Sequence, residues 1–290
     1  MIRLSAFADE ASKSLEGQIA AMQRNGISYL EVRGINGTNV SKLTEEEATA
    51  YAKQLTDAGI RVWSIGSPLG KVKIDCDFEE YKKTVAHVCR MAQIFGTDKI
   101  RMFSVHEAYE SEETVYAYLR EMVKIAESYG VQLYHENEKK IFGDTVERVL
   151  KIRENVEGLK YVYDPANYLE VGEDSAYSLG ALHGLTDYFH IKDVVAATGQ
   201  LVPAGYGDGF IGGIVERILA SGKDFVMTLE PHLKVFEGYG QIDNTVLQTA
   251  FTYGSNVESF SAAVGAMKKV LADCGCVEVT MADGTKAFVK

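Results

Sequence analysis

The sequence predicts an α/β fold, a single (β/α)8 TIM barrel with a short C-terminal β-hairpin extension. Three observations carry this reading. Short β-rich runs alternate with longer stretches of helical period, the alternation repeats eight times, and the 290 residues suit one barrel of about 250 residues plus insertions.

The strand candidates, in order, are Ile2–Phe7, Tyr29–Arg33, Arg61–Gly66, Lys99–Val105, Val131–Asn137, Leu159–Asp164, Thr186–Asp193 and Phe225–His232. Between them apolar residues recur three and four apart, as with Ala48, Tyr51, Ala52 and Leu55, so that one stripe of each helix can lie against a sheet. Asn25-Gly26, Ala58-Gly59, Phe95-Gly96, Tyr129-Gly130 and Ser221-Gly222 place glycine where a helix would end in a left-handed cap. All four prolines, Pro68, Pro165, Pro203 and Pro231, fall just after proposed strands, where a missing amide donor is tolerated. Eight units favour closure into a barrel over an open doubly wound sheet, although pairing of the first strand with the eighth is not itself written in the sequence. Residues 1–275 are assigned to the barrel and 276–290 to the extension. There, two short strands flank an Asp283-Gly284 turn and cover the barrel surface or a contact between copies in a homo-oligomer.

Composition narrows the function. With 46% apolar and 24% charged residues the chain has the profile of a folded protein, and its formal charge of −11 opposes nucleic-acid backbones and anionic membranes. A small metabolite is the expected partner. The opening apolar run stops at Asp9 and Glu10, too short for a signal peptide, so a cytoplasmic location is expected. Cys76, Cys89, Cys274 and Cys276 show no paired CxxC spacing and read as reduced thiols.

The active site of such a barrel lies at the C-terminal ends of its strands. The last four strands end in His135-Glu136-Asn137, Asp164-Pro165-Ala166-Asn167, His190-Ile191-Lys192-Asp193 and Glu230-Pro231-His232. Alternation sends every second side chain inward, so Glu136, Asp164, His190 and Glu230 can face the axis at one height. Each alone reads better as a solvated charge or a helix cap than as a ligand. Together, three carboxylates would repel one another without a cation. The donor set suits a divalent metal, Mn²⁺ first, with Mg²⁺, Co²⁺ or Zn²⁺ as alternatives. His135 has the opposite parity and is expected to pack outward, while His232 and Lys192 could reach a substrate.

These strand-end motifs resemble the xylose isomerase-like TIM-barrel superfamily, and within it the sugar phosphate isomerase/epimerase group. The resemblance runs from Leu4 to Gly275 and takes in Glu31-Val32-Arg33 and Gly66-Ser67-Pro68-Leu69-Gly70-Lys71. It implies that Glu136 and Glu230 both bind the metal and act as the catalytic acid/base pair, with Asp164 and His190 as ligands only. Glu31, Lys71, Asn167, Lys192 and His232 are the expected substrate contacts. Asn167 stands where several relatives carry histidine, which changes that contact in kind.

The implied reaction is isomerisation or epimerisation of a small sugar, polyol or sugar phosphate by proton transfer through a metal-stabilised enediolate. Loss of a β-hydroxyl or an aryl group from the same intermediate would instead make a dehydratase or a lyase on a keto-polyol or 3-keto glycoside. A DNA lesion endonuclease shares the barrel but is disfavoured by the acidic balance and by only six histidines. A catalytically silent barrel is disfavoured by the intact Glu136 and Glu230. The loop Ala204–Gly209 could turn backbone amides toward a substrate phosphate, although glycines in a long loop more often only form turns.

Overall fold

The computed structural model describes residues 1–237, 239–242, 246–249 and 251–290. Eight parallel strands form the ring: β1 (Ile2–Ala6), β2 (Tyr29–Val32), β3 (Arg61–Gly66), β4 (Lys99–Met102), β5 (Gln132–Glu136), β6 (Lys160–Tyr163), β7 (Tyr188–Ile191) and β8 (Phe225–Leu229). Each pairs with its sequence neighbour, and β8 returns to β1 over five residues, from Ile2 opposite Phe225 to Ala6 opposite Leu229. Closure removes both sheet edges, which is why strands of only four to six residues suffice.

The outer layer comprises α1 (Leu15–Asn25), α2 (Glu45–Asp57), α3 (Phe78–Phe95), α4 (Glu112–Ser128), α5 (Val146–Asn155), α6 (Pro165–Glu170), α7 (Ser175–Leu182), α8 (Ile211–Ser221), the single turn α9 (Tyr239–Ile242) and α10 (Asn256–Asp273). Local chemistry sets their ends. Thr44 and Glu47 form a reciprocal capping box at the start of α2, and α1, α3 and α8 stop at left-handed Gly26, Gly96 and Gly222. The main apolar core lies between strands and helices, with Val85, Val88, Met91, Ile214 and Met267 fully buried. A separate cluster of Val162, Tyr188 and Val226, packed with Trp63 and Tyr134, fills the barrel interior.

The C-terminal strands β9 (Val277–Thr280) and β10 (Lys286–Val289) form the expected hairpin. Its Phe288 pairs antiparallel with Ile2 at the start of β1, and Arg61 pairs with Asp283. The hairpin therefore fastens the N-terminal end of the barrel, opposite the strand ends that carry Glu136, Asp164, His190 and Glu230. No helix among the described residues is long and apolar enough to cross a membrane.

Three strands end two or three residues earlier than the sequence pattern suggests, the eighth at Leu229 in place of His232. The fourth ends at Met102, where the Phe103 amide turns to Leu69. The seventh ends at Ile191; Asp193–Val195 then pairs with Gln200–Val202 in a separate antiparallel hairpin. Both apolar runs continue past the ring because the loops beyond it are themselves buried.

Candidate metal centre

Four consecutive strands deliver one donor each. Glu136 ends β5, and Asp164, His190 and Glu230 occupy the ends of β6, β7 and β8. All four are buried, and one ligand atom from each lies within 4.8 Å of the others. Asp164 also caps α6, its Oδ1 accepting from the Asn167 amide, which leaves Oδ2 outside that bond.

His190 sits at the centre of the cluster. Its Nδ1 is 2.9 Å from Glu136 Oε1 and 3.3 Å from Glu230 Oε2, while Nε2 is 3.2 Å from Glu31 Oε2. Glu31 also accepts from the Tyr188 and Thr228 hydroxyls. A carboxylate on the far nitrogen of a metal-binding histidine fixes its ring and tautomer. Glu31 is thus placed beneath His190, inside the barrel, rather than at the open mouth.

Burial opposes charge on His190, but Glu136 and Glu31 outweigh it and hold the imidazole well above its usual range. Burial also opposes ionisation of Glu230; hydrogen bonds from His190 and His232 overcome it and keep that carboxyl well below the carboxylate range. Asp164 behaves in the opposite way. Burial pushes it up to about 7 in spite of the Lys192 ammonium 3.3 Å away. Its Oδ2 is buried and accepts no hydrogen bond. Three carboxylates around one imidazole, with an Asp164 oxygen that has the Lys192 ammonium 3.3 Å away but no hydrogen bond, fit a hard or borderline divalent ion.

The other expected residues are distributed around this cluster. Lys192 donates to Asn167 Oδ1 at 2.7 Å, and Asn167 donates to the Asn137 carbonyl. His232 lies 3.3 Å from Glu230 and 3.4 Å from Glu10 through Nε2, with its backbone in the left-handed region at φ 45°. Lys71 pairs with Glu138 at 2.9 Å over the Phe103 ring. His135 points outward to Ser104, as its parity implies. The loop amides of Gly205, Gly207 and Gly209 all donate to the Asp193 carboxylate, so the cradle that could have faced a phosphate is filled by the chain itself.

Sequence reasoning gave no role to Arg33, Arg101 or Glu10. Arg33 reaches Glu230 and Glu10 and lies 4.3 Å over the Phe7 ring; Arg101 Nε lies 3.2 Å from Glu136. The available signal was position. Arg33 shares the inward parity of Glu31, and Arg101 is a charge between Ile100 and Met102 within a strand. Glu10 follows β1 and accepts the His232 amide, a link across the barrel closure that only the paired ring reveals.

Comparison with known proteins agrees with this architecture. The probable 3-DHS dehydratase of Bacillus anthracis matches with a TM-score of 0.70 at 17% identity, over 92% of this chain and 97% of that one. An L-ribulose 3-epimerase matches at 0.72 and 17%, over 95% and 97%. D-psicose 3-epimerase from Clostridium cellulolyticum H10 matches at 0.71 and 14%, over 94% and 99%. No curated protein matches the sequence significantly. The sequence profile described as xylose isomerase-like TIM barrel matches residues 19–243. With most of its length under that profile and the barrel closed as described, the chain belongs to the xylose isomerase-like TIM-barrel family.

Proposed function

We propose that this protein is a divalent-metal-dependent isomerase or epimerase of a small sugar or polyol, acting in the cytoplasm. The observation that carries the proposal is the convergence of Glu136, Asp164, His190 and Glu230 within 4.8 Å at the strand ends. Those four residues would hold the ion, with Mn²⁺ the preferred candidate. When bound, the ion would polarise a carbonyl and an adjacent hydroxyl and so acidify the carbon between them.

The residues of the chain supply the proton transfer. Glu230, kept anionic by His190, His232 and Arg33, is suited to remove a proton from one side of the substrate. Glu136, held by Arg101 on a strand three positions away, is suited to return it from the other. Glu31 orients His190, while Lys192, Asn167 and His232 line the approach and would position substrate oxygens. The epimerases among the structural neighbours, one with D-tagatose bound, support this chemistry. The dehydratase neighbour supports a second reading, in which the same proton removal is followed by loss of a β-hydroxyl.

Solvent exchange tests the proposal. The Mn²⁺-loaded protein in D₂O should incorporate deuterium at the carbon next to the carbonyl of at least one ketose or keto-polyol in a panel. Absence of incorporation across the panel would refute it, and appearance of an unsaturated product would select the dehydratase reading.

A further inference from the structure

We propose that the N-terminal face of the barrel carries a second ligand site, separate from the metal centre, for a phosphomonoester with an aromatic body, of the nucleoside monophosphate class. The site does not depend on the reaction proposed above.

A cavity of about 550 Å³ opens where β5, β6, β7 and β8 begin, a size within the range of about 300–1,000 Å³ usual for small-molecule sites. Gln132, Lys160 and Phe225 enter its wall as the first residues of β5, β6 and β8, and Asp187 as the residue before β7. The other ends of these four strands carry Glu136, Asp164, His190 and Glu230. From Lys160 to Asp164 is four steps of extended chain, about 13 Å, which puts the cavity outside the metal centre.

The charge here runs against that of the whole molecule. In a chain of formal charge −11, the cations Arg153, Lys160 and Lys223 line this cavity against the carboxylates Glu157 and Asp187. Asp187 is already engaged: one oxygen accepts from the Tyr161 amide at 2.9 Å and the other lies 3.6 Å from Lys160. Glu157 is exposed, where water and salt screen it. The side chains of Arg153 and Lys223 have neither a hydrogen-bond partner nor a carboxylate partner among the described residues. Arg217 of α8 adds to the excess. Burial holds His183 below the usual imidazole range, and the charges of Arg217 and Lys223 push it the same way.

A guanidinium and an ammonium left open at one cavity are the donors that a phosphate group takes. The remaining wall decides what the phosphate is attached to. Leu159, Tyr161, Leu185 and Phe225 make an apolar, partly aromatic floor, with Tyr161 and Phe225 only 5% and 7% exposed. The Tyr161 hydroxyl is buried without a hydrogen-bond partner; burial pushes its pKa up, and the neighbouring Arg153 charge opposes that push. Inorganic phosphate would leave this floor uncovered, and an uncharged nucleoside would leave Arg153 and Lys223 open. A nucleotide meets both demands, its base on the floor and its dianion on the cations.

Calorimetric titration of the full chain, metal-free and Mn²⁺-loaded, with adenosine, guanosine, cytidine and uridine 5′-monophosphates, with the parent nucleosides and with inorganic phosphate tests the site. At least one nucleotide should bind the metal-free protein with a Kd under about 1 mM, and at least about tenfold more tightly than its nucleoside or inorganic phosphate. The Mn²⁺-loaded protein should bind it no less tightly. Absence of such binding, binding only with the metal present, or inorganic phosphate binding as tightly as the nucleotide would each overturn the proposal. Two variants check the position. The Arg153→Gln/Lys223→Gln protein, changed only at exposed side chains, should lose at least about tenfold in affinity with an unaltered melting temperature. At Gly184, on the cavity wall, an added Cβ meets no atom within 4 Å, so Gly184→Leu projects into the cavity without a clash and should lose as much. Either variant binding the nucleotide as tightly as the parent would refute the site.

Discussion

Arg33 Nη1 donates to Glu230 Oε1 at 2.8 Å, and the other side of its guanidinium binds both oxygens of Asp9 at 2.9 Å. The same Arg33 lies 3.3 Å from Glu10, and Glu10, Glu230 and His232 form a second buried group whose ligand atoms lie within 4.8 Å. A guanidinium is a permanent cation, so Arg33 already supplies the positive charge that an ion at this second group would bring. Metal analysis after dialysis should therefore find one tightly held ion per wild-type chain. Arg33→Met should admit a second ion and, without metal, lose about 3–5 kcal/mol of stability in urea, because it leaves buried carboxylates unpaired. Two ions in the wild-type protein would refute this role.

The two glutamates assigned to proton transfer predict a sharp loss. Glu136→Gln and Glu230→Gln each preserve size and polarity but remove the group that accepts and returns a proton. Turnover should fall by about a hundredfold to ten-thousandfold while far-UV circular dichroism stays that of the parent. An active Glu230→Gln enzyme would remove Glu230 from the mechanism.

The metal-free cluster binds protons where the ion would sit. His190 is held charged by Glu136 and Glu31, and Asp164 is raised to about 7 by burial. A metal can bind only after these protons leave, so its apparent affinity should rise as pH increases from 6 to 8. Titration of the metal-free protein in buffers of different ionisation enthalpy should show proton release at pH 7, and chelation should lower the melting temperature. Metal uptake without proton release would contradict the charge states described.

Much of this centre could be read from residue order. The parity that sends Glu136, Asp164, His190 and Glu230 inward is a property of any strand, and each ligand sits at the end of a recognisable apolar run. Parity also placed His135 outside the ring. It could not tell whether Glu31 faces substrate or supports His190, because both lie inside the barrel and differ only in depth. The partners of Arg33 and Arg101 were equally hidden: the first pair joins β2 to β8 across the closed ring, and the second joins neighbouring β4 and β5 at a distance that their register sets. The seventh strand reads in the sequence as running on to Asp193, and the hairpin of Asp193–Val195 with Gln200–Val202 is not anticipated there, since buried loops and strands carry the same apolar signature.

Asp193 supplies the last test, because its carboxylate gathers the loop beyond β7. Its buried carboxylate accepts from the backbone amides of Val194, Gly205, Gly207 and Gly209. The approach is so close that a Cβ on Gly207 would stand 2.4 Å from Asp193 Oδ1. Asp193→Asn keeps the shape but replaces one acceptor oxygen with an amide donor that faces other donors. Stability should fall by about 1–3 kcal/mol in urea, and the amides of Gly205, Gly207 and Gly209 should exchange faster than those of the ring strands. Gly207→Ala should show the same local loosening with Asp193 intact, since the added methyl pushes the carboxylate away. Unchanged exchange in both variants would mean that another part of the structure holds the loop, and the amides would then be free to receive a phosphate after all.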